Sequence, residues 1–75
     1  MNEISFSIKG EFIQLNQLLK AIGWAESGSE ANAIIDSGNV KVNGKKELRR
    51  RNKIIPGFKV QFEKEIVVVL AATED

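Results

Sequence analysis

Residues 27–44 read Ser27-Gly28-Ser29-Glu30-Ala31-Asn32-Ala33-Ile34-Ile35-Asp36-Ser37-Gly38-Asn39-Val40-Lys41-Val42-Asn43-Gly44, and the punctuation of this stretch decides the fold class. Ser27 and Glu30 stand at the Ser-x-x-Glu spacing of a capping box, so a helix opens here ahead of Ala31, Ala33, Ile34 and Ile35. It should stop at Ser37, because Gly38 and Asn39 both tolerate the left-handed backbone that ends helices. Val40-Lys41-Val42 then alternates as a half-buried strand and runs into Asn43-Gly44, a strong hairpin signal. A capped helix followed directly by a hairpin calls for an α+β arrangement.

Working toward the amino terminus, Leu15, Leu18, Leu19 and Ile22 fall at i, i+3, i+4 and i+7. That is one apolar stripe on a helix in the stretch from Glu11 onward, with Gly23 placed to cap its end. The two helices should pack as a pair. Before them Ile4, Phe6 and Ile8 alternate with Ser5 and Ser7 as a first strand, ended by Lys9-Gly10. Toward the carboxyl terminus Pro56-Gly57 marks a turn, Phe58, Val60 and Phe62 alternate with Lys59 and Gln61, and Ile66 to Leu70 is a largely β-branched run. The expected fold is a two-helix pair on one face of a small, mostly antiparallel sheet of four to five short strands. Thr73, Glu74 and Asp75 read as a frayed acidic end.

The hairpin register can be argued from side-chain pairing. A two-residue loop pairs Val42 with Lys45 and puts Leu48 on the face opposite Val40 and Val42. A three-residue loop, Asn43-Gly44-Lys45, pairs Val40 with Leu48 and Lys41 with Glu47, keeping apolar groups together and opposite charges across strands. The three-residue register is the expectation. It places Lys41, Glu47, Arg49, Arg51 and Lys53 on one side, provided the strand stays extended that far.

Composition excludes much chemistry. The 75 residues contain no Cys, no His and no Tyr, so there is no zinc cluster, thiolate nucleophile, imidazole base or disulfide framework. Catalysis would have to rest on carboxylates, Lys and Ser, and Glu26, Glu30 and Asp36 show no pairing suited to it. The expectation is a non-enzyme with no cofactor and no metal. The longest apolar run, Ile66 to Ala72, is too short to span a membrane, and the Met-Asn-Glu start carries no targeting pattern, which points to the cytoplasm. The formal net charge of +1 hides an asymmetry. Residues 41–59 hold eight basic side chains against Glu47 alone, a local balance of +7 that leaves −6 for the rest. One basic third on a near-neutral chain is the footprint of a nucleic-acid or acidic-partner surface.

The segments placed so far resemble the S-four RNA-binding domain, named after a small-subunit ribosomal protein. Its helix with a Leu-x-x-Leu stripe matches Leu15-Asn16-Gln17-Leu18-Leu19 ending at Gly23. Its Ser-x-Ser-x-Ala opening matches Ser27-Gly28-Ser29-Glu30-Ala31, and its Ile-x-x-Gly-x-Val-x-Val-Asn-Gly run matches Ile35 to Gly44. The flanks Gly23-Trp24-Ala25-Glu26-Ser27-Gly28 and Arg49-Arg50-Arg51-Asn52-Lys53-Ile54 resemble its short, stand-alone YbcJ-like subgroup. The resemblance implies an S-four-like domain over 1–75 with its motif core at 15–57, bacterial and ribosome-associated, gripping structured ribosomal or transfer RNA without acting on it. Many members carry Arg between the two serines, where this chain has Gly28, and that phosphate contact is absent. The Arg and Asp common at the start of the first helix are Gln14 and Asn16 here, and Gly57-Phe58 stands where Gly-Asp is common.

The expected RNA-binding residues are Ser27, Gly28, Ser29, Lys41, Asn43, Lys45, Lys46, Arg49, Arg50, Arg51, Lys53 and Lys59. A helix start presents unpaired backbone N–H groups at the positive end of the dipole, and Gly28 lets a phosphate come close. Glu30 is the counter-argument, since its carboxylate could already satisfy those donors. Contiguous arginines offer planar forks that fit phosphate and can stack on bases. Trp24 could stack on a base, but in a chain with five aromatics its expected place is the core, closing the helix corner. The second expected mode is a protein-interaction module docking an acidic partner in a ribosome-associated complex.

Overall fold

The alternation of Ile4, Phe6 and Ile8 becomes strand β1 (Asn2–Ile8) in the computed structural model, which describes residues 2–72. Gly10, at φ +91°, turns the chain into a two-residue strand β2 (Ile13–Gln14), and helix α1 (Leu15–Ala21) begins immediately after it. The helix therefore starts with the first residue of the apolar stripe, and residues 11–14 before it are not helical. Ile13 pairs with Ile54 across to β5 (Lys53–Ile54), which holds residues 13 and 14 extended. The N-cap residue Gln14 makes no side-chain capping bond. The leading donors of α1 go instead to the backbone of a distant loop, Leu15 N–H to the Asn52 carbonyl at 2.9 Å and Asn16 N–H to the Arg50 carbonyl at 3.0 Å. Gly23, at φ +86°, ends the helix as expected.

Helix α2 (Gly28–Asp36) follows the capping reading closely. Ser27 Oγ accepts from Glu30 N–H at 3.1 Å, and the Glu30 carboxylate turns back to accept from Glu26 N–H at 3.1 Å. Ser37 and the left-handed Gly38 close it. Strand β3 (Val40–Val42), β4 (Lys45–Lys46), β6 (Lys59–Phe62) and β7 (Glu65–Ala71) complete the sheet with β1, in the order β1-β7-β6-β3-β4. All its pairs are antiparallel except β1 with β7, whose register runs parallel from Asn2↔Glu65 to Ile8↔Ala71. The two helices cover one face of this mixed sheet. Thr73, Glu74 and Asp75 lie outside the described residues.

The core joins Leu15, Leu18 and Leu19 of α1 and Ala31 and Ile35 of α2 to Val40, Val60, Val67 and Val69 of the sheet, all fully buried together with Ile54 of the small ribbon. Burying each such Leu, Ile or Val side chain contributes about 1.5–3 kcal/mol, and this holds the short helices in place. Trp24 packs at the core's edge as expected. Its ring lies 5.8 Å from Phe62, and its indole N–H donates to Glu65 Oε1 at 2.8 Å. No described helix is long and apolar enough to cross a membrane.

The hairpin corrects the expected register. Val42 pairs with Lys45 and Lys41 with Lys46, so the loop is Asn43-Gly44 alone. Both loop residues have positive φ, 52° and 85°, the geometry of a two-residue turn whose twist matches the flanking strands. Leu48 is left 55% exposed. On the hairpin edge the two-residue loop sets Glu47, not Leu48, opposite Val40, with the Glu47 N–H donating to the Val40 carbonyl at 3.0 Å, while the other edge of β3 pairs Val40 with Phe62 and Val42 with Val60 of β6. The apolar partners come from the far end of the chain, and Leu48 is not needed. Strand β4 also ends at Lys46, so the extended run expected to align Lys41, Glu47, Arg49, Arg51 and Lys53 does not form.

Candidate nucleic-acid interface

The loop between β4 and β5 carries the three arginines, and Glu47 organises it. The Glu47 side chain, 14% exposed, accepts from Arg49 N–H, Arg49 Nε and Arg49 Nη2, each at 3.0 Å, and from Asn52 Nδ2 at 3.1 Å. The Arg49 guanidinium holds the Glu47 carboxyl below its ordinary value, chiefly through this hydrogen bond and against a smaller desolvation effect. On its other side the loop supplies the Arg50 and Asn52 carbonyls that cap α1. The acid that only diluted the charge count therefore fixes the shape of the basic loop.

The contiguous arginines separate in space. Arg49 is paired with Glu47, and Arg50 forms a forked pair with Asp36 at the end of α2, its Nε 3.0 Å from Oδ1 and its Nη2 on Oδ2. That hydrogen bond lowers the Asp36 pKa and raises that of Arg50. Arg51 has no ion pair among the described residues. It lines a depression of about 300 Å³ with Gly28, Lys20, Gln14, Asn16 and Gln17. Lys20 comes from the last turn of α1, outside the basic third, and its sequence context reads only as a solvated helix face. The packing of α1 on α2, marked by Asn16 Nδ2 donating to Asn32 Oδ1 at 3.1 Å, brings it there.

Two further depressions continue from this one. Arg51 is shared with a hollow of about 390 Å³ lined also by Arg49, Asn52 and Lys53. Those last three residues are shared in turn with a groove of about 660 Å³ that reaches Lys45, Lys46, Asn43 and Phe58 at the hairpin. The basic surface is thus continuous from the start of α2, over the arginine loop, to β4. At its α2 end, Ser27 Oγ is committed to Glu30 N–H, and the Glu30 carboxylate faces Glu26 N–H. The N–H groups of Gly28 and Ser29 remain at the open end of the helix.

The other expected residues are placed differently. Asn43 borders the groove, but its Oδ1 accepts from Lys59 N–H at 2.9 Å and its own N–H donates to the Lys59 carbonyl at 2.7 Å, stitching the hairpin to β6. The Lys46 side chain reaches from the groove past Gly38, so that a Cβ there would meet Lys46 Cδ at 3.5 Å. Lys41 borders a separate hollow of about 340 Å³ with Gly38, Asn39, Gln61 and Glu63. Register puts Lys41 and Lys59 on the sheet face turned away from the helices, since Val40, Val42 and Val60 alternate with them and point into the core.

The helix pair, the left-handed stop and the Val-Asn-Gly hairpin that edge this basic surface are the segments through which the sequence resembles the S-four domain. The model of the S4 domain matches residues 6–70. The chain belongs to the S4 domain family. Among relatives, YbcJ of Escherichia coli (strain K12) is 44% identical over 68 residues, covering 89% of this chain and 97% of that protein, and YbcJ of Shigella flexneri matches to the same extent. The solution structure of YbcJ from E. coli, described as revealing an ALFAL motif involved in RNA-binding, is similar with a TM-score of 0.66. It shares 41% sequence identity and covers 95% of this chain and 89% of its own. The S4 domain here thus spans nearly the full length of its bacterial relatives.

Proposed function

We propose that this S4 domain is a non-catalytic RNA-binding module that holds the backbone of a folded RNA along the basic surface running from the α2 start to β4. The observation that carries this reading is the joining of Arg51, Lys20 and Gly28 in one depression that continues through Lys53 to Lys45. Lys and Arg on a shallow surface meet phosphates, which position an RNA without reading its sequence. The donors include a guanidinium with no acid paired to it among the described residues and helix N–H groups, both suited to phosphate oxygens. Glu47 and the α1 cap fix the loop beforehand, so little ordering entropy is lost on binding. The motif described for the YbcJ structure supports the same ligand class. Structured ribosomal or transfer RNA, reached in the cytoplasm and in association with the ribosome, is the ligand this reading favours.

Retention of cellular RNA on the purified protein tests the reading. RNA should copurify with the wild type and be lost from a variant carrying Arg51→Glu and Lys53→Glu. If the double variant keeps its RNA, the basic surface serves an acidic protein partner instead.

A further inference from the structure

Among the described residues Phe12 is the most open aromatic ring, 40% exposed, whereas Phe6, Phe58 and Phe62 pack against the core. Its position relative to the basic surface follows from the β2–β5 ribbon. Ile13 and Ile54 pair with each other and turn inward, so the alternation of the strands puts Phe12, Gln14 and Lys53 on the outer side. Gln14 lines the depression that holds Arg51 and Lys20, and Lys53 lines the two hollows beyond it. The ring is therefore the next group along the same outer face. Lys53 confirms the adjacency, because its Nζ lies 4.9 Å from the centroid of the Phe12 ring.

We propose that Phe12 is a stacking platform for an unpaired base whose phosphate is held by Lys53 and Arg51, so that the module prefers RNA with a single-stranded loop or bulge over a continuous duplex. The proposal rests on the RNA-binding reading and adds a class of RNA to it. The ammonium of an exposed, flexible lysine already reaches the ring, so the aromatic surface is accessible from solvent. A base stacked on an aromatic side chain gains more than an exposed cation–π contact does, so the base displaces the ammonium. The released Lys53 then meets the phosphate of the same strand. In a duplex the bases are stacked on one another and turned inward, which leaves Phe12 without a partner.

The test uses the full chain with two probes, a short RNA hairpin carrying an unpaired purine-rich loop and the same stem as a blunt duplex. Phe12→Leu keeps an apolar side chain but removes the π face. It should weaken hairpin binding by about 5- to 100-fold while changing duplex binding by less than about twofold, and Phe12→Tyr should bind like the wild type. In the wild-type protein the Phe12 ring protons should move upfield on adding the hairpin and stay in place with the duplex, a measurement that needs no variant. Phe12 resonances unmoved by the hairpin, or a Phe12→Leu protein that binds it like the wild type or loses both probes equally, would overturn the platform. Arg51→Ala separates the two readings. If it weakens binding of both probes while Phe12→Leu leaves hairpin binding unchanged, RNA binding stands and the platform falls. If the wild type binds neither probe, the RNA-binding reading itself falls.

Discussion

At the scale of single residues, the three arginines show how tertiary contacts divide a charge run that looks uniform in sequence. Arg49 and Arg50 each face an acid, Glu47 and Asp36, whereas Arg51 faces none among the described residues and stands beside Lys20. Reversing Arg51 should therefore lower RNA affinity by at least about tenfold, the effect of replacing a phosphate contact with a repulsion, while Arg50→Ala should change it by less than about threefold. Filter-binding titrations of the two variants at one fixed salt concentration check this; equal losses would contradict the assignment. Glu47 has a pH signature. Its native pKa lies below the ordinary 4.5, so its carboxylate contributes stability that is fully present above that value and is lost as pH falls through the native pKa. Asp36 shifts in the same direction. Thermal midpoints should drop from about pH 5 downward, and they should drop less steeply in Glu47→Gln, which has no carboxylate to protonate. The clustering of these residues was only partly legible in the sequence. The basic third could be counted, but nothing local says that Asp36, in another element, neutralises Arg50, or that Lys20 joins Arg51.

At the scale of elements, legibility follows the distance over which each element is determined. Helix α2 is written locally, in Ser27, Glu30 and Gly38, and all three behave as their residue types require. Helix α1 is not, because its cap is the backbone of residues 50 and 52 and has no sequence signature. The hairpin lies between these cases. Asn43-Gly44 announces the turn, but the apolar neighbours of Val40 and Val42 arrive only with Lys59–Phe62 on the other edge of β3, so the apolar contact expected of Leu48 is supplied by β6 and Glu47 stands opposite Val40 on the hairpin side. The turn itself makes a stability prediction. Asn43 combines a left-handed φ of 52° with the bond from Lys59 N–H to its Oδ1, and Asn43→Ala removes the side chain that favours both. Urea unfolding should show a loss of about 1–2 kcal/mol for Asn43→Ala, and a comparable loss for Gly44→Ala at φ 85°. Asn43→Gly should lose less, since it keeps the backbone freedom and lacks only the bond. If Asn43→Gly proves as damaging as Asn43→Ala, the hydrogen bond rather than the backbone carries the turn.

At the scale of the whole molecule, the near-neutral total resolves into a surface with a direction, and salt dependence measures how much of that surface an RNA uses. The chain's eight basic residues at 41–59 do not form one face. Lys41 and Lys59 lie on the sheet face turned from the helices, Arg49 and Arg50 are matched by acids, and Lys46 lies along Gly38. Among the described residues Lys45, Arg51 and Lys53 remain without an ion pair on the continuous surface, and Lys20 joins them from α1. About four phosphate contacts, at about −0.7 each for single-stranded RNA, give a slope near −3 for log affinity against log salt. Engagement of the whole basic third would give a slope nearer −6 by the same rule. The slope thus distinguishes a grip by one face from a wrapping of RNA around the hairpin and the open side of the sheet. Lys53→Glu should flatten it by about one unit, whereas Lys59→Glu should leave it unchanged, because register puts Lys59 on the sheet face turned from the helices, off the continuous basic surface.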